Sequence, residues 1–152
     1  MNSNINHYIT SSFLNKVSNL FLEPKKEVDF SLENARLMNL KYTNLEQMVV
    51  NLSGGNQQKV VIAKWLIADS EILMFDEPTR GIDVGAKSEI YKLINELSKR
   101  GKSIIIVSPE LEELIGLCHK IHVMFEGEIK QTVSGEEKTQ ENIINSLLGE
   151  GE

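Results

Sequence analysis

Asn51-Leu52-Ser53-Gly54-Gly55-Asn56-Gln57-Gln58-Lys59-Val60 places two glycines at the opening of a helix. Further on, Ile72-Leu73-Met74-Phe75-Asp76-Glu77-Pro78-Thr79-Arg80-Gly81-Ile82-Asp83 ends an apolar run on an acidic pair. Ser53 and the glycines sit where the first backbone N–H groups of a helix have no partner and the macrodipole is positive. Glycines there let the main chain approach a phosphate with no Cβ in the way, and Ser53 adds a hydroxyl donor. The same residues read equally as an N-cap and a turn. Asp76 and Glu77 fall at the carboxyl end of a strand, where open α/β sheets bind ligands. Asp76 suits a magnesium ion held partly through water, and Glu77 suits a water aimed at a phosphoryl group. Taken alone, the pair also reads as two solvated acids leading into the Pro78 turn. No G-x-x-x-x-G-K-[S/T] phosphate loop occurs in the 152 residues. Gly101-Lys102-Ser103 imitates its end, but Glu96 stands where the first glycine belongs and the string leads from helix to strand, the reverse of the required order.

Outward from these two stretches the pattern is that of a βαβ unit with helices before it. Ile72–Phe75 and Ser103–Ser108 are unalternated apolar runs, as in strands covered on both faces of a parallel sheet. Between them Ala86, Ile90, Leu93, Ile94 and Leu97 share one helical face, with Asp83 as the N-cap and Gly101 at the end. The helix from Ser53 to about Ala68 carries Val60, Val61, Ile62, Ala63, Trp65, Leu66 and Ile67, too dense for a surface helix, so it is expected to be largely buried. Upstream, residues 8–22 have helical spacing at Phe13, Leu14, Val17, Leu20 and Phe21. Pro24 and Lys25-Lys26-Glu27 read as a break, and residues 31–39 as a short helix capped by Ser31. Lys41 to Asn44 read as a connection. Downstream, a helix is expected over about 110–117. A hairpin follows from Ile121–Phe125 and Ile129–Val133 around Gly127, then a helix over roughly 139–148.

Composition limits the partners. Hydrophobic content of 41% suits one globular domain, and a net charge of −6 argues against a nucleic-acid face. Cys118 is the single cysteine, expected as a small core residue, with His119 beside it on the surface. No signal peptide or apolar run of membrane-spanning length is visible, so the chain is expected to be cytoplasmic.

The combination of Leu52–Val60 with Ile72–Lys87 resembles the signature and Walker B regions of ABC-type ATPases. Asn56-Gln57-Gln58-Lys59-Val60 and Pro78 to Lys87 resemble, more narrowly, the ATP-binding subunits of ribose-, galactose- and xylose-type importers, which carry two ATPase halves in one polypeptide. Ser108-Pro109-Glu110-Leu111 and Met124-Phe125-Glu126-Gly127-Glu128-Ile129 resemble the second half. The resemblance implies an α/β fold: part of a P-loop NTPase domain, with a mostly parallel sheet remnant, a helical signature subdomain, and a C-terminal hairpin and helix. It implies a helical subdomain over 1–68 and the C-terminal part of the ATPase core over 69–152. Ser53, Gly54, Gly55, Asn56, Gln57 and Gln58 would face the γ-phosphate of ATP on an opposite half. Asp76 would serve Mg²⁺, Glu77 would be the catalytic base, and Asp83 would lie in the loop linking the two sites. Pro109 stands at the switch position in place of histidine, with neither ring nitrogen nor backbone N–H to offer.

The implied partners are an ATPase half with an intact Walker A loop, membrane permease subunits and, indirectly, a sugar-binding protein; no nucleic acid is expected. Walker A and the glutamine loop belong upstream of this stretch. The chain alone is therefore expected not to turn over ATP well, and to expose strand edges and apolar faces. A non-catalytic module that docks on another ATPase half, or an inactive truncated gene product, is the alternative. Chromosome-maintenance ATPases share the serine-glycine-glycine string, but the acidic charge and the Asn-Gln-Gln continuation argue against them.

Overall fold

Pro24 begins a helix in the computed structural model, which describes residues 3–11, 24–66 and 70–148. Ten α-helices and β-strands occur among them: α1 Ile5–Thr10, α2 Pro24–Leu37, α3 Gly54–Leu66, β1 Ile72–Asp76, α4 Val84–Lys99, β2 Ser103–Val107, α5 Leu111–Leu117, β3 Lys120–Phe125, β4 Glu128–Ser134 and α6 Gln140–Leu148. The chain divides into two compact units, residues 1–73 with 78–104 and residues 74–77 with 105–152.

In the first unit, α1, α2 and α3 pack on one another and α4 packs on α3. Asn4 caps α1 by accepting the His7 N–H at 2.8 Å. The expected break at Pro24 and the Ser31 cap are both corrected. Proline fits the first helical position, whose N–H has no intrahelical partner anyway. Ser31 lies inside α2, fully buried, and its hydroxyl donates to Asn6 Oδ1 of α1 at 2.6 Å. The helix ends at Leu37, where Asn39 takes a left-handed φ of 46°. Leu40 N–H bonds to Ala35 O and Asn39 N–H to Arg36 O, so the last carbonyls are satisfied by a Schellman closure. The expected helix over 8–22 meets α1 at its start; Phe13, Leu14, Val17, Leu20 and Phe21 lie outside the described residues, as does Ile67.

α4 matches its expected span, and its ends show why. Asp83 Oδ1 accepts the Ala86 N–H at 2.9 Å. At the other end Gly101, with φ 86°, gives its N–H to Ser98 O while Lys102 N–H reaches Leu97 O. Ile90, Leu93, Ile94 and Leu97 are buried along one face.

β1 and β2 pair as a two-stranded sheet. Ser103 N–H bonds to Glu71 O at one end and Glu77 N–H to Val107 O at the other, the pattern of parallel strands. Cover on both faces is not found. Leu73 is buried, but Ile72, Ile105 and Val107 are largely exposed and Met74 is 75% exposed. Trp65 corrects the expectation for α3 in the same way: Val60, Ile62 and Ala63 are buried, but Trp65 is 60% exposed.

The second unit closes on its own small core. β3 and β4 form an antiparallel hairpin whose turn, Glu126-Gly127, has both residues at positive φ, the two-residue geometry that suits strand twist. A bulge between Val123 and Met124 shifts the register, so Val123 faces Gln131 and Met124 faces Ile129. Ile121, Val123 and Val133 bury one hairpin face against Ile143 of α6, with Leu111, Leu114, Ile115 and Cys118 packed beside them. Cys118 is half-buried against this core rather than inside it, its thiol pKa pushed up by burial, while His119 is exposed. Lys138 ties the end of α5 to this core by donating to Ile115 O and Cys118 O at 3.1 and 2.7 Å.

Candidate functional site

Ser53 stands immediately before α3, and both Ser53 and Gly54 are exposed. The two glycines do different work. A Cβ on Gly55 would come within 2.4 Å of the Ala86 Cβ, far inside contact distance, so Gly55 allows α3 to lie against the start of α4. A Cβ on Gly54 would meet Ile82 Cγ2 at 3.5 Å, ordinary contact, and Gly54 keeps its exposed main chain bare.

The next side chains are engaged in holding this turn. Asn56 Nδ2 donates to Ser53 Oγ at 2.8 Å, and Asn56 Oδ1 accepts the Lys41 N–H at 3.0 Å. Gln57 Nε2 donates to Leu52 O at 2.8 Å and to Val50 O at 3.3 Å, bracing the single 3₁₀ turn Val49–Asn51 that leads into α3. Gln58 is half-buried on the same helix. Ser53 therefore accepts from a side chain, unlike an ordinary N-cap, whose oxygen accepts from the backbone.

One residue of this stretch escaped the sequence reading. Lys59 is only 3% exposed, and its ammonium donates to Asn39 O at 3.0 Å and to Glu89 Oε2 of α4 at 2.6 Å. The hydrogen bond from Lys59, then its charge, hold the Glu89 carboxyl below the usual range. Lys41 adds a second, looser cation at 3.8 Å from Glu89 Oε1. The available signal was weak: a lysine between Gln58 and Val60, on the buried side of an apolar helix, requires an acceptor.

Asp76 is exposed at the end of β1. Glu77 follows with φ 44°, a left-handed conformation that side chains other than glycine adopt at a cost and that clusters at functional positions. Its N–H is fixed on Val107 O at 2.8 Å, so the reversal is pinned to the end of β2. Pro78 and Thr79 are buried, and Gly81, with φ 72°, continues the turn towards Asp83. Ser53 to Gln58 and Asp83 belong to the first unit, Asp76 and Glu77 to the second.

The segment after β2 is organised by a second residue that the sequence did not single out. Glu113 is 4% exposed and accepts from the Ser108 hydroxyl, which in turn accepts the Glu110 N–H at 3.1 Å. Pro109 lies exposed between them. Among the described residues no three acidic, histidine or cysteine side chains converge as a metal cluster.

A profile described as ABC transporter matches residues 2–80. The chain is 48% identical over 127 residues to the ribose import ATP-binding protein RbsA of Clostridium perfringens, covering 84% of this chain and 25% of that protein. It is 48% identical over 140 residues to the L-arabinose transport ATP-binding protein AraG of Geobacillus stearothermophilus, covering 91% and 27%. It thus spans about a quarter of the length of these curated relatives. MJ1267, an ATP-binding cassette of an ABC transporter, shares the fold with a TM-score of 0.77 at 20% identity, over 95% of this chain and 62% of that one.

Proposed function

We infer, from the premise that this chain belongs to the ABC transporter family, that it supplies the signature turn and the acidic pair of a sugar importer's ATPase, with a second ATPase half supplying the phosphate loop. The observation that carries this reading is the exposed turn Ser53-Gly54, held from behind by Asn56, Gln57 and Gly55. The likeness to the ribose and arabinose import proteins supports a monosaccharide importer.

In this reading Ser53 and the main chain of Gly54 and Gly55 donate to the γ-phosphate of an ATP bound on the opposite half, where the positive end of α3 favours the anion. Asn56, Gln57 and Gln58 complete that face. Glu77 orients the attacking water and takes its proton as the water oxygen bonds to the γ-phosphorus and the bond from that phosphorus to the ADP oxygen breaks. Asp76, an exposed carboxylate at the end of β1, would hold Mg²⁺. When bound, the ion neutralises charge on the phosphate oxygens. Asp83, at the start of α4, relays between the two sites. In the same reading residues 1–68 are the helical subdomain that meets the permease, and 69–152 are the C-terminal part of the ATPase core. No helix among the described residues is long and apolar enough to cross a membrane; the proposed place is the cytoplasmic face, bound to the permease, with the sugar-binding protein an indirect partner.

Pro109 favours a second reading, a docking module without turnover, because it offers neither imidazole nor N–H at the switch position. Mixing the chain with an ATPase half that has an intact phosphate loop and measuring phosphate release separates the two. Glu77→Gln should lower release at least about a hundredfold, the scale of a general base. Unchanged release in Glu77→Gln would leave the docking reading.

A further inference from the structure

We propose that Asn56 and Lys59 are positioning residues that latch the signature turn to the Asn39–Lys41 segment, and that the latch keeps the Ser53 hydroxyl pointed outward as a donor. The role towards ATP rests on the function proposed above; the latch itself is a matter of local geometry.

Three contacts converge on one short segment. Lys41 N–H binds Asn56 Oδ1, and Asn39 O binds the Lys59 ammonium. Glu89 of α4 receives the same ammonium and lies near the Lys41 side chain. Asn56 and Lys59 are three apart and so share one side of α3. Both ends of the Asn56 amide are engaged, because Nδ2 donates to Ser53 Oγ. A hydroxyl that accepts from a neighbour on its lone pair retains its own proton for another acceptor. Asn56 therefore fixes the sense of the Ser53 hydroxyl, outward and donating, which is the sense a phosphate requires. Asn39 can offer its carbonyl because its left-handed φ closes α2 there. The segment thus joins the end of α2 directly to the signature turn and to α4, so a displacement of α2 is felt at Ser53.

The first arm of the test is amide hydrogen exchange at Lys41 in the full chain. Asn56→Ala should speed it about tenfold or more, the loss of one hydrogen bond, with the melting midpoint followed separately. Glu89→Gln keeps the shape of α4 and loosens Lys59; it stands in for Lys59→Met should that buried change prevent folding. The second arm is ATPase with an ATPase half bearing the phosphate loop. Asn56→Ala and Lys59→Met should lower kcat about tenfold or more with KM for ATP within about twofold, since misplacement of a catalytic group acts on the chemical step. Lys59→Arg should recover most of the rate. Unchanged Lys41 exchange in Asn56→Ala overturns the latch. Faster exchange with unchanged kcat overturns the positioning role. Absence of turnover in the unaltered mixture overturns the proposed function, and the role towards ATP with it, while the exchange arm still decides the latch.

Discussion

The contact of α3 with α4 and the cluster beneath the β3–β4 hairpin perform the same task, fixing one element on another, with opposite chemistry. Under the hairpin, Ile121, Val123, Val133 and Ile143 form an apolar cluster. Between α3 and α4 the fixing is done by a missing Cβ at Gly55 and by a buried lysine that reaches Asn39 and Glu89. Apolar burial is non-directional and sets proximity. A charge-assisted hydrogen bond is directional and sets an angle. The difference places directional contacts beside the turn whose orientation matters and leaves the apolar cluster to hold the second unit together.

Four substitutions break or sharpen this contrast. The largest effect is expected for Ile143→Ala, where a fully buried branched side chain is lost: about 2–5 kcal/mol, read by urea unfolding of the hairpin unit. A loss under 1 kcal/mol would mean the cluster is not the main support of that unit. Gly55→Ala comes next, at about 1–3 kcal/mol, because the new methyl collides with Ala86. Adding Ala86→Gly should recover much of the loss; simple additivity of the two changes would show that the close approach is not the cause.

Asp83→Ala removes the α4 cap and should cost about 1 kcal/mol, while Asp83→Asn, which keeps an oxygen acceptor, should cost less. Equal losses would separate the effect from capping. The smallest effect is a pH dependence. Glu89 has its folded pKa lowered by Lys59, so the pair's contribution is fully present above the ordinary glutamate value of about 4.3 and declines as pH falls through the lower folded value. Glu89 is partly exposed, so solvent screens the pair and the effect is slight. Melting midpoints below about pH 4.5 should fall less steeply in Glu89→Gln than in the unaltered chain; parallel curves would remove Glu89 from the acid response.

Much of this was legible locally. α4 was readable because its cap, its apolar stripe and its closing Gly101 are all encoded within the span itself, and the hairpin because Glu126-Gly127 breaks two strand-like runs. α2 was misread at its start because proline and a charged run mark a loop and a first helical turn alike; Ser31 looked like a cap until its acceptor, Asn6, came from another helix. Trp65 and Met74 were expected inside because apolar density signals burial only where another layer exists to cover it.

The sequence by itself determined the family, since Leu52–Val60 and Ile72–Asp83 are strings of residue types at fixed spacing and spacing is local information. Only the tertiary structure decided which polar groups hold the signature turn in place. The partners of Asn56 and Lys59, the carbonyl of Asn39, the N–H of Lys41 and the carboxylate of Glu89, come from segments up to 30 residues away. Nothing within the string specifies them, because a hydrogen bond depends on where two atoms meet after the chain has packed.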